Sequence, residues 1–315
     1  MKPLLIVNPR AGGGRTGETF DAMREVITRA IGEHDVELTE RSGHASDLAR
    51  RAALDGRETV VAVGGDGSIH EVVSGLMRAK AEGAGATRLG VIGQGTGGDF
   101  RKSLGIEHRL DRYCSAISCG HTRTVDVGRF SAATEDGDEE IHGYFINILS
   151  VGLGGLVDRY VAEGNSRFGG TFAYFTASAR ALLESSVGVL ACTIHEGSRV
   201  REQEIPTRSM AICNGRFFGS GMEIAPMARL DDGLFEVVDL GSAGRLKFAA
   251  VSSQVYSGRH IDHPDVQHFR CDRITMELLN KDVRDRFLLD IDGEPLGRMP
   301  LTIEVMPSAL EVFVP

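Results

Sequence analysis

The sequence predicts an α/β domain built on a doubly wound parallel sheet, followed by an all-β sandwich, and three observations carry that prediction. Up to about residue 124, short apolar runs alternate with amphipathic stretches of helical period, the grammar of strands crossing over through helices. Three of those runs end in glycine-bearing loops, at 8–14, 64–67 and 93–98. Beyond Thr124 the pattern changes to many short β-like runs between glycine turns, as in a sandwich. A chain of 315 residues is long enough for two cores. It shows no internal repeat and no low-complexity linker, so closely joined domains are expected.

In order, Lys2–Val7 is a first strand and Asn8-Pro9-Arg10-Ala11-Gly12-Gly13-Gly14 the loop at its end. A helix over Gly17–Ala30 follows, with Phe20, Met23 and Ile27 on one face, then a strand at Val36–Thr39 and a helix at Ser46–Leu54. The stretch Thr59–Leu76 organises the rest. Thr59-Val60-Val61-Ala62-Val63 is β-branched and apolar, the signature of a buried parallel strand. Gly64-Gly65-Asp66-Gly67 breaks it, and Ser68 is expected to start a helix as a capping box with Glu71, burying Ile69, Val72, Val73 and Leu76. Strand, glycine turn and helix N-terminus together present free N–H groups to an anion. Two readings of Asp66 stand side by side: an acidic group carried into a phosphate cradle, or a turn residue that caps a helix. Leu89–Ile92 is a fourth strand, ending in Gly93-Gln94-Gly95-Thr96-Gly97-Gly98-Asp99-Phe100. Ligands of doubly wound sheets bind beyond the carboxyl ends of the strands, and all three glycine loops fall at that edge.

In the second part, Val125–Phe130 reads as a strand and the acidic segment Thr134–Glu140 as a solvated hairpin tip. Further strands are expected at Tyr144–Leu149, Val189–Ile194, Ser209–Asn214, Leu234–Leu240, Arg273–Glu277, Arg286–Ile291 and Leu301–Val305. Helices are expected at Phe168–Leu183 and Leu246–Tyr256, the first with a Phe168/Phe172/Phe175 stripe that reads as core. Ile141–Val157 is uncharged apart from His142 and Asp158 just beyond it, but four glycines and an Asn make it a strand and turn, not a membrane span.

Composition narrows the function. A net charge of −9 argues against nucleic-acid binding and gives no overall attraction to anionic membranes. Residues 1–125 carry 17 Lys+Arg against 16 Asp+Glu, so the acidity lies in the C-terminal part. An enzyme of this charge that meets a membrane needs a local face to do so. The five cysteines (Cys114, Cys119, Cys192, Cys213, Cys271) follow no ligand spacing and read as reduced core thiols of a cytoplasmic protein. MKPLLIVNPR has too short an apolar run for a signal peptide.

Glycine loops without a GxxxxGK[ST] pattern cannot hold phosphates in the P-loop manner. Gly93–Gly98 can be written as GxGxxG-like, but it closes the fourth strand without a preceding βαβ fingerprint. GGDGS with a following Glu resembles the diacylglycerol kinase catalytic domain family, which includes bacterial lipid kinases and sphingosine kinases; NAD kinases and phosphofructokinases carry a related loop. Further motifs in order extend the resemblance over nearly the whole chain: Asn8-Pro9 and its glycines, Gly95-Thr96-Gly97-Gly98-Asp99-Phe100 for GTGNDF, Gly219-Ser220-Gly221 with Ala225-Pro226 and Leu230-Asp231-Asp232-Gly233-Leu234 for GGG…AP…DDGL, and Asp292-Gly293-Glu294 for DGE.

The resemblance implies a nucleotide-binding domain over 1–124 of NAD-kinase/phosphofructokinase-like fold, with a tail from about 306 to 315 returning to it. It implies a β-sandwich over 125–305 carrying acceptor-side and metal residues. It further implies ATP and Mg²⁺ as cofactors, and nucleotide contacts at Asn8, Pro9, Gly12, Thr39, Gly64, Gly65, Asp66, Gly67, Ser68, Glu71, Gly95, Thr96 and Asp99. A structural metal would take the Asp232 side chain with the carbonyls of Arg229 and Leu234, hard oxygen donors suited to Mg²⁺; a plain Asp-Gly turn is the alternative. Asp292 is expected to be the general base with Glu294 as its partner, on a segment that could equally be a hairpin turn. One departure stands out: the family's Asn is Gly98 here, which removes two donors and an acceptor. The implied activity is phosphorylation of a lipid hydroxyl, diacylglycerol or a relative, by a protein peripherally associated with the membrane. A soluble kinase of the NAD-kinase type and a non-catalytic nucleotide-binding regulator are the alternatives. The acceptor is not encoded by any motif, and a homodimer stays open.

Overall fold

The structure is a computed structural model that describes residues 1–95, 97–134, 136–163 and 170–315. The chain forms two compact units, Met1–Val127 with Pro307–Pro315, and Gly128–Met306.

In the first unit, β1 (Leu4–Val7), α1 (Arg15–Ile31), β2 (Asp35–Leu38), α2 (His44–Leu54), β3 (Thr59–Gly64), α3 (Asp66–Ala81), β4 (Arg88–Gly93), α4 (Asp99–Ser103) and α5 (Leu110–Cys119) follow one another. The strands lie in the order β2-β1-β3-β4, all parallel, with Val7 opposite Val63 and Gly64 opposite Gly93. Every residue of β1 and β3 is buried, which is why these strands read as unbroken apolar runs. Helix α1 buries Phe20, Met23 and Ile27, the face its periodicity predicts. Gly75 lets α3 approach the backbone of α2 at Ser46, where a side chain would collide.

The second unit begins within β5 (Thr122–Ala133), followed by β6 (Glu140–Phe145), β7 (Ile148–Gly152), α6 (Leu153–Glu163), α7 (Gly170–Glu184), β8 (Gly188–Glu196), β9 (Arg199–Thr207), β10 (Ser209–Cys213), β11 (Phe235–Asp239), α8 (Arg245–Ser253), β12 (Gln267–Cys271), β13 (Arg273–Leu278), β14 (Leu288–Ile291), β15 (Glu294–Leu296) and β16 (Arg298–Phe313). One antiparallel layer runs β16-β13-β8-β9 with the β5–β6 hairpin alongside; the other runs β12-β11-β10-β7-β14-β15. Their inner faces share one core, with Phe145, Leu149, Val151, Ile212, Phe235, Ile274, Leu289 and Ile303 all buried. The outer face of the second layer is covered by α8 through Phe248 and Val251 against Ala211, Cys213 and Val238. The end of β16 belongs to the first unit, where Val312 pairs in parallel with Leu89.

The α/β and β-sandwich classes are therefore as the sequence predicts, with local differences. Tyr144–Leu149 is not one strand: β6 and β7 are separated at Ile146-Asn147, because the N–H groups there turn to the Asp292 carboxylate. From Leu153 the segment read as a turn is helix α6, entered through Gly152 at φ 89°. Strand β9 is absent from the sequence reading because RVREQEIPT is mostly charged or polar; it is an exposed strand paired along β8. The Thr134–Glu140 segment is an exposed hairpin tip among its described residues. Phe168 and the side chains of Phe172 and Phe175 lie outside the described residues. Four cysteines are buried free thiols, whereas Cys119 is exposed. Among the described residues, no helix is long and apolar enough to cross a membrane.

Candidate active site

The first unit brings its three glycine loops together at the carboxyl edge of the sheet. Asn8 N–H donates to Val63 O (2.9 Å) and Gln94 N–H to Gly64 O (2.7 Å), so each loop leaves its strand in register with the next. The approach is too close for side chains. A Cβ on Gly95 would lie 2.7 Å from Gly65 Cα, and one on Gly12 would lie 2.8 Å from Gln94 O. A Cβ on Gly64 would strike Ser68. Asn8 ties two loops together, its Nδ2 donating to Ser68 Oγ (3.0 Å) while its Oδ1 accepts from Arg10 N–H (3.0 Å). Pro9 O accepts from Gly17 N–H (3.1 Å), and Thr39 N–H donates to Val7 O (2.9 Å), which sets Thr39 at the same edge.

Helix α3 starts at Asp66, two residues earlier than predicted, with extended Gly65 at its N-cap and no side-chain cap. The Ser68–Glu71 capping box does not form. The Glu71 carboxylate instead accepts from Gly43 N–H (2.8 Å) and Ala45 N–H (3.0 Å), capping the neighbouring helix α2, whose own N-cap is a glycine. Glu71 thereby caps α2 and not its own helix, and Gly67 lies in the first turn of α3. Asp66 accepts from Phe100 N–H (3.2 Å) at the start of α4. Burial, reinforced by the Asp99 carboxylate, pushes the Asp66 carboxyl above its ordinary 3.8, while the N–H groups of Phe100, Asp99 and Gly98 pull it back. Of the two sequence readings of Asp66, the geometry shows a cap, though on α4 and not on its own helix. Asp99 is buried and accepts from Lys102 Nζ (3.0 Å). Thr96 lies outside the described residues.

Beneath the 93–98 loop are residues that sequence reasoning passed over. Tyr113 Oη bonds His108 Nδ1 (2.9 Å), and a Cβ on Gly93 would lie 2.5 Å from that hydroxyl. Burial pushes the Tyr113 phenol up to about 12. Burial, with Arg101 and Lys102 close by, lowers His108. A Tyr on helix α5 carries no motif signal; its apolar neighbours were the only clue.

In the second unit, Asp292 and Gly293 (φ 50° and 90°) form the two-residue turn between β14 and β15, with Ile291 opposite Glu294. The Asp292 carboxylate accepts three backbone N–H groups: Ile146 on Oδ2 (3.1 Å), Asn147 (3.1 Å) and Ile148 (2.8 Å) on Oδ1. Glu294 is exposed on β15. Asp232 closes a turn onto its own backbone, its Oδ1 accepting from Leu234 N–H (3.2 Å), and Arg229 Nε approaches Asp231 Oδ1 (3.4 Å). Arg229, Asp232 and Leu234 thus share one turn before β11. Among the described residues, no group of three or more His, Cys, Asp or Glu side chains forms a metal cluster. One carboxylate with backbone carbonyls is a hard-oxygen set that fits Mg²⁺.

Two family models match the chain. Residues 2–130 match the diacylglycerol kinase catalytic domain, and residues 147–314 match the YegS C-terminal NAD kinase beta sandwich-like domain. The chain belongs to the diacylglycerol kinase catalytic domain family. Relatives of this family member include a protein named diacylglycerol kinase from Staphylococcus carnosus (strain TM300), 26% identical over 99% of this chain and 94% of its own. Another of the same name, from Staphylococcus haemolyticus (strain JCSC1435), is 27% identical over 99% and 87%. A crystal structure of a diacylglycerol kinase from Bacillus anthracis str. Sterne has a TM-score of 0.70 at 20% identity, covering 100% of this chain and 97% of that one. Yeast NADH kinase complexed with NADH has a TM-score of 0.52 at 11% identity, covering 99% and 82%. At such identities the structural likeness speaks for the fold.

Proposed function

We propose that this protein is an ATP- and Mg²⁺-dependent lipid kinase that phosphorylates a hydroxyl of diacylglycerol or a related lipid. The observation that carries the reading is the convergence of the three glycine loops in a member of this kinase family, at separations that exclude a Cβ. Such a surface offers backbone N–H groups to a polyphosphate, and phosphoryl transfer asks for positioning and charge stabilisation above all. In this reading Asn8, Pro9, Gly12, Gly64, Gly65, Gly67, Ser68 and Gly95 shape the phosphate cradle and Thr39 borders it. Asp66 and Asp99 are the carboxylates from which a hydrated Mg²⁺ would be held. When bound, Mg²⁺ neutralises charge developing on the phosphates. Asp232, with the Arg229 and Leu234 carbonyls, would hold a second, structural ion.

Asp292 orients and deprotonates the acceptor hydroxyl, with Glu294 supporting it. Its three N–H partners fix the carboxylate more firmly than the preceding strand alone, and fixed placement is what a loose transition state rewards. The lipid is met peripherally at a membrane surface, with weak salt dependence because the chain is acidic. Purified protein supplied with ATP and Mg²⁺ should release ADP with diacylglycerol in mixed micelles and not with NAD. ADP release with NAD alone would transfer the assignment to the NAD-kinase type.

A further inference from the structure

We infer that Arg101 is a phosphate-binding residue of the nucleotide site, its guanidinium supplying the recognition that the missing side chain at Gly98 cannot; this rests on the kinase reading above. Arg101 is the third residue of α4, and its side chain lies along the 93–98 loop. A Cβ placed on Gly98 would be 2.6 Å from Arg101 Nε, 3.3 Å from its Cδ and 3.4 Å from its Cγ. The same Cδ would be 3.7 Å from a Cβ on Gly93, so the stem spans both ends of the loop. Gly98 and Arg101 are therefore a matched pair: any side chain at 98 would need the space the arginine fills.

Among the described residues the guanidinium is anchored at one nitrogen, Nη1 donating to Ile106 O (3.1 Å). Its Nε is buried and has no hydrogen-bond partner among the described residues, nor does Arg101 form an ion pair there. The nearby carboxylates are engaged elsewhere, Asp99 by Lys102 Nζ and Asp66 by the α4 backbone. A guanidinium N–H shielded from water and without an acceptor is costly to keep. The Nε side is also one of the two with which arginine grips phosphate in a fork. Beside glycine loops whose amides already favour an anion, that edge is suited to a polyphosphate.

The test is isothermal titration of the whole protein with Mg·ATP, with tripolyphosphate and with adenosine. Arg101→Ala should weaken ATP and tripolyphosphate by roughly 10- to 100-fold, one charged fork lost, and leave adenosine unchanged. Its melting temperature should barely move, since one bond to Ile106 O is all it gives up. Adding Gly98→Asn to Arg101→Ala should recover part of the loss, because the αL geometry at 98 (φ 60°, ψ 43°) accepts Asn and the space is vacated. Gly98→Asn alone should bind ATP more weakly than wild type. Arg101→Gln, which reaches Ile106 O without the charge, carries the test if the alanine variant does not fold. Wild-type binding of ATP with no loss in Arg101→Ala or Arg101→Gln overturns the inference alone. Failure of the wild type to bind either polyphosphate overturns the nucleotide reading and this inference with it.

Discussion

Replacing Asp292 by Asn separates its clasp from its chemistry. The carboxylate accepts three N–H groups, two on Oδ1 and one on Oδ2. In the amide one oxygen remains to accept two of them, now without charge, and the NH₂ group faces the third N–H donor to donor. Hydrogen bonds to charged groups contribute about 1.5–3 kcal/mol each against about 0.5–1.5 for neutral ones, so the two retained bonds lose roughly 2 kcal/mol together. The stranded N–H adds about 1–3 kcal/mol, for a total on the order of 3–5 kcal/mol. Backbone strain does not enter, because Asn tolerates the positive φ of this turn as well as Asp does. Asp292→Asn is therefore expected to destabilise the second unit, contrary to the simple view that it preserves the fold and removes only a base. The assay is thermal unfolding, where a loss of this size lowers Tm on the order of 10 °C in a unit this large. Activity per folded molecule is then measured well below the new Tm, where kcat should be down roughly 10²–10⁴-fold. A variant that melts with the wild type would refute the clasp. One that melts early but retains full kcat would refute the catalytic role.

Glu71→Gln should lower stability by about 1–3 kcal/mol through the α2 N-terminus and leave the KM for ATP unchanged; a selective rise in that KM would return Glu71 to the nucleotide site. Asp66→Ala should impair both nucleotide use and folding stability, since it removes the acceptor for the α4 amides; an undisturbed urea midpoint would contradict the capping geometry. His260 is fully buried, and burial lowers its pKa below the ordinary 6.5. The native state then binds fewer protons than the unfolded chain below that pH, so this group's stabilisation is present above 6.5 and lost as pH falls beneath it. His260→Gln should flatten the decline in unfolding free energy between pH 7.5 and 5.5, and an unchanged slope would show that His260 is not the group responsible. Glu294→Gln should cost less activity than Asp292→Asn; the reverse order in kcat would exchange their proposed roles.

The fold class was legible because its signals are local. Apolar runs such as Thr59–Val63 and glycine loops at strand ends are properties of a few adjacent residues, and strand–helix alternation then dictates a parallel sheet. What stayed hidden depends on partners distant in sequence. Glu71 has capping-box spacing to Ser68, yet its carboxylate goes to Gly43 and Ala45, because a glycine N-cap on α2 leaves amides that a tertiary neighbour must satisfy. The break at Ile146-Asn147 is imposed by a carboxylate more than 140 positions away, so no window centred on Tyr144–Leu149 contains its cause. Strand β9 escaped because an exposed strand needs little hydrophobic pattern. Motif order singled out Asp66, Asp99 and Asp292 as candidates, while the packing of Arg101 against Gly98 became visible only in three dimensions.

The central claim, transfer of a phosphoryl group from ATP to a lipid hydroxyl, is tested most directly by incubating the protein with γ-labelled ATP, Mg²⁺ and a total lipid extract. Label is expected in an organic-extractable product that yields a phosphomonoester on analysis, and that product should be lost with Asp292→Asn under conditions where the variant is folded. Label that stays in the aqueous phase, as inorganic phosphate or on a soluble acceptor such as NAD, would contradict it.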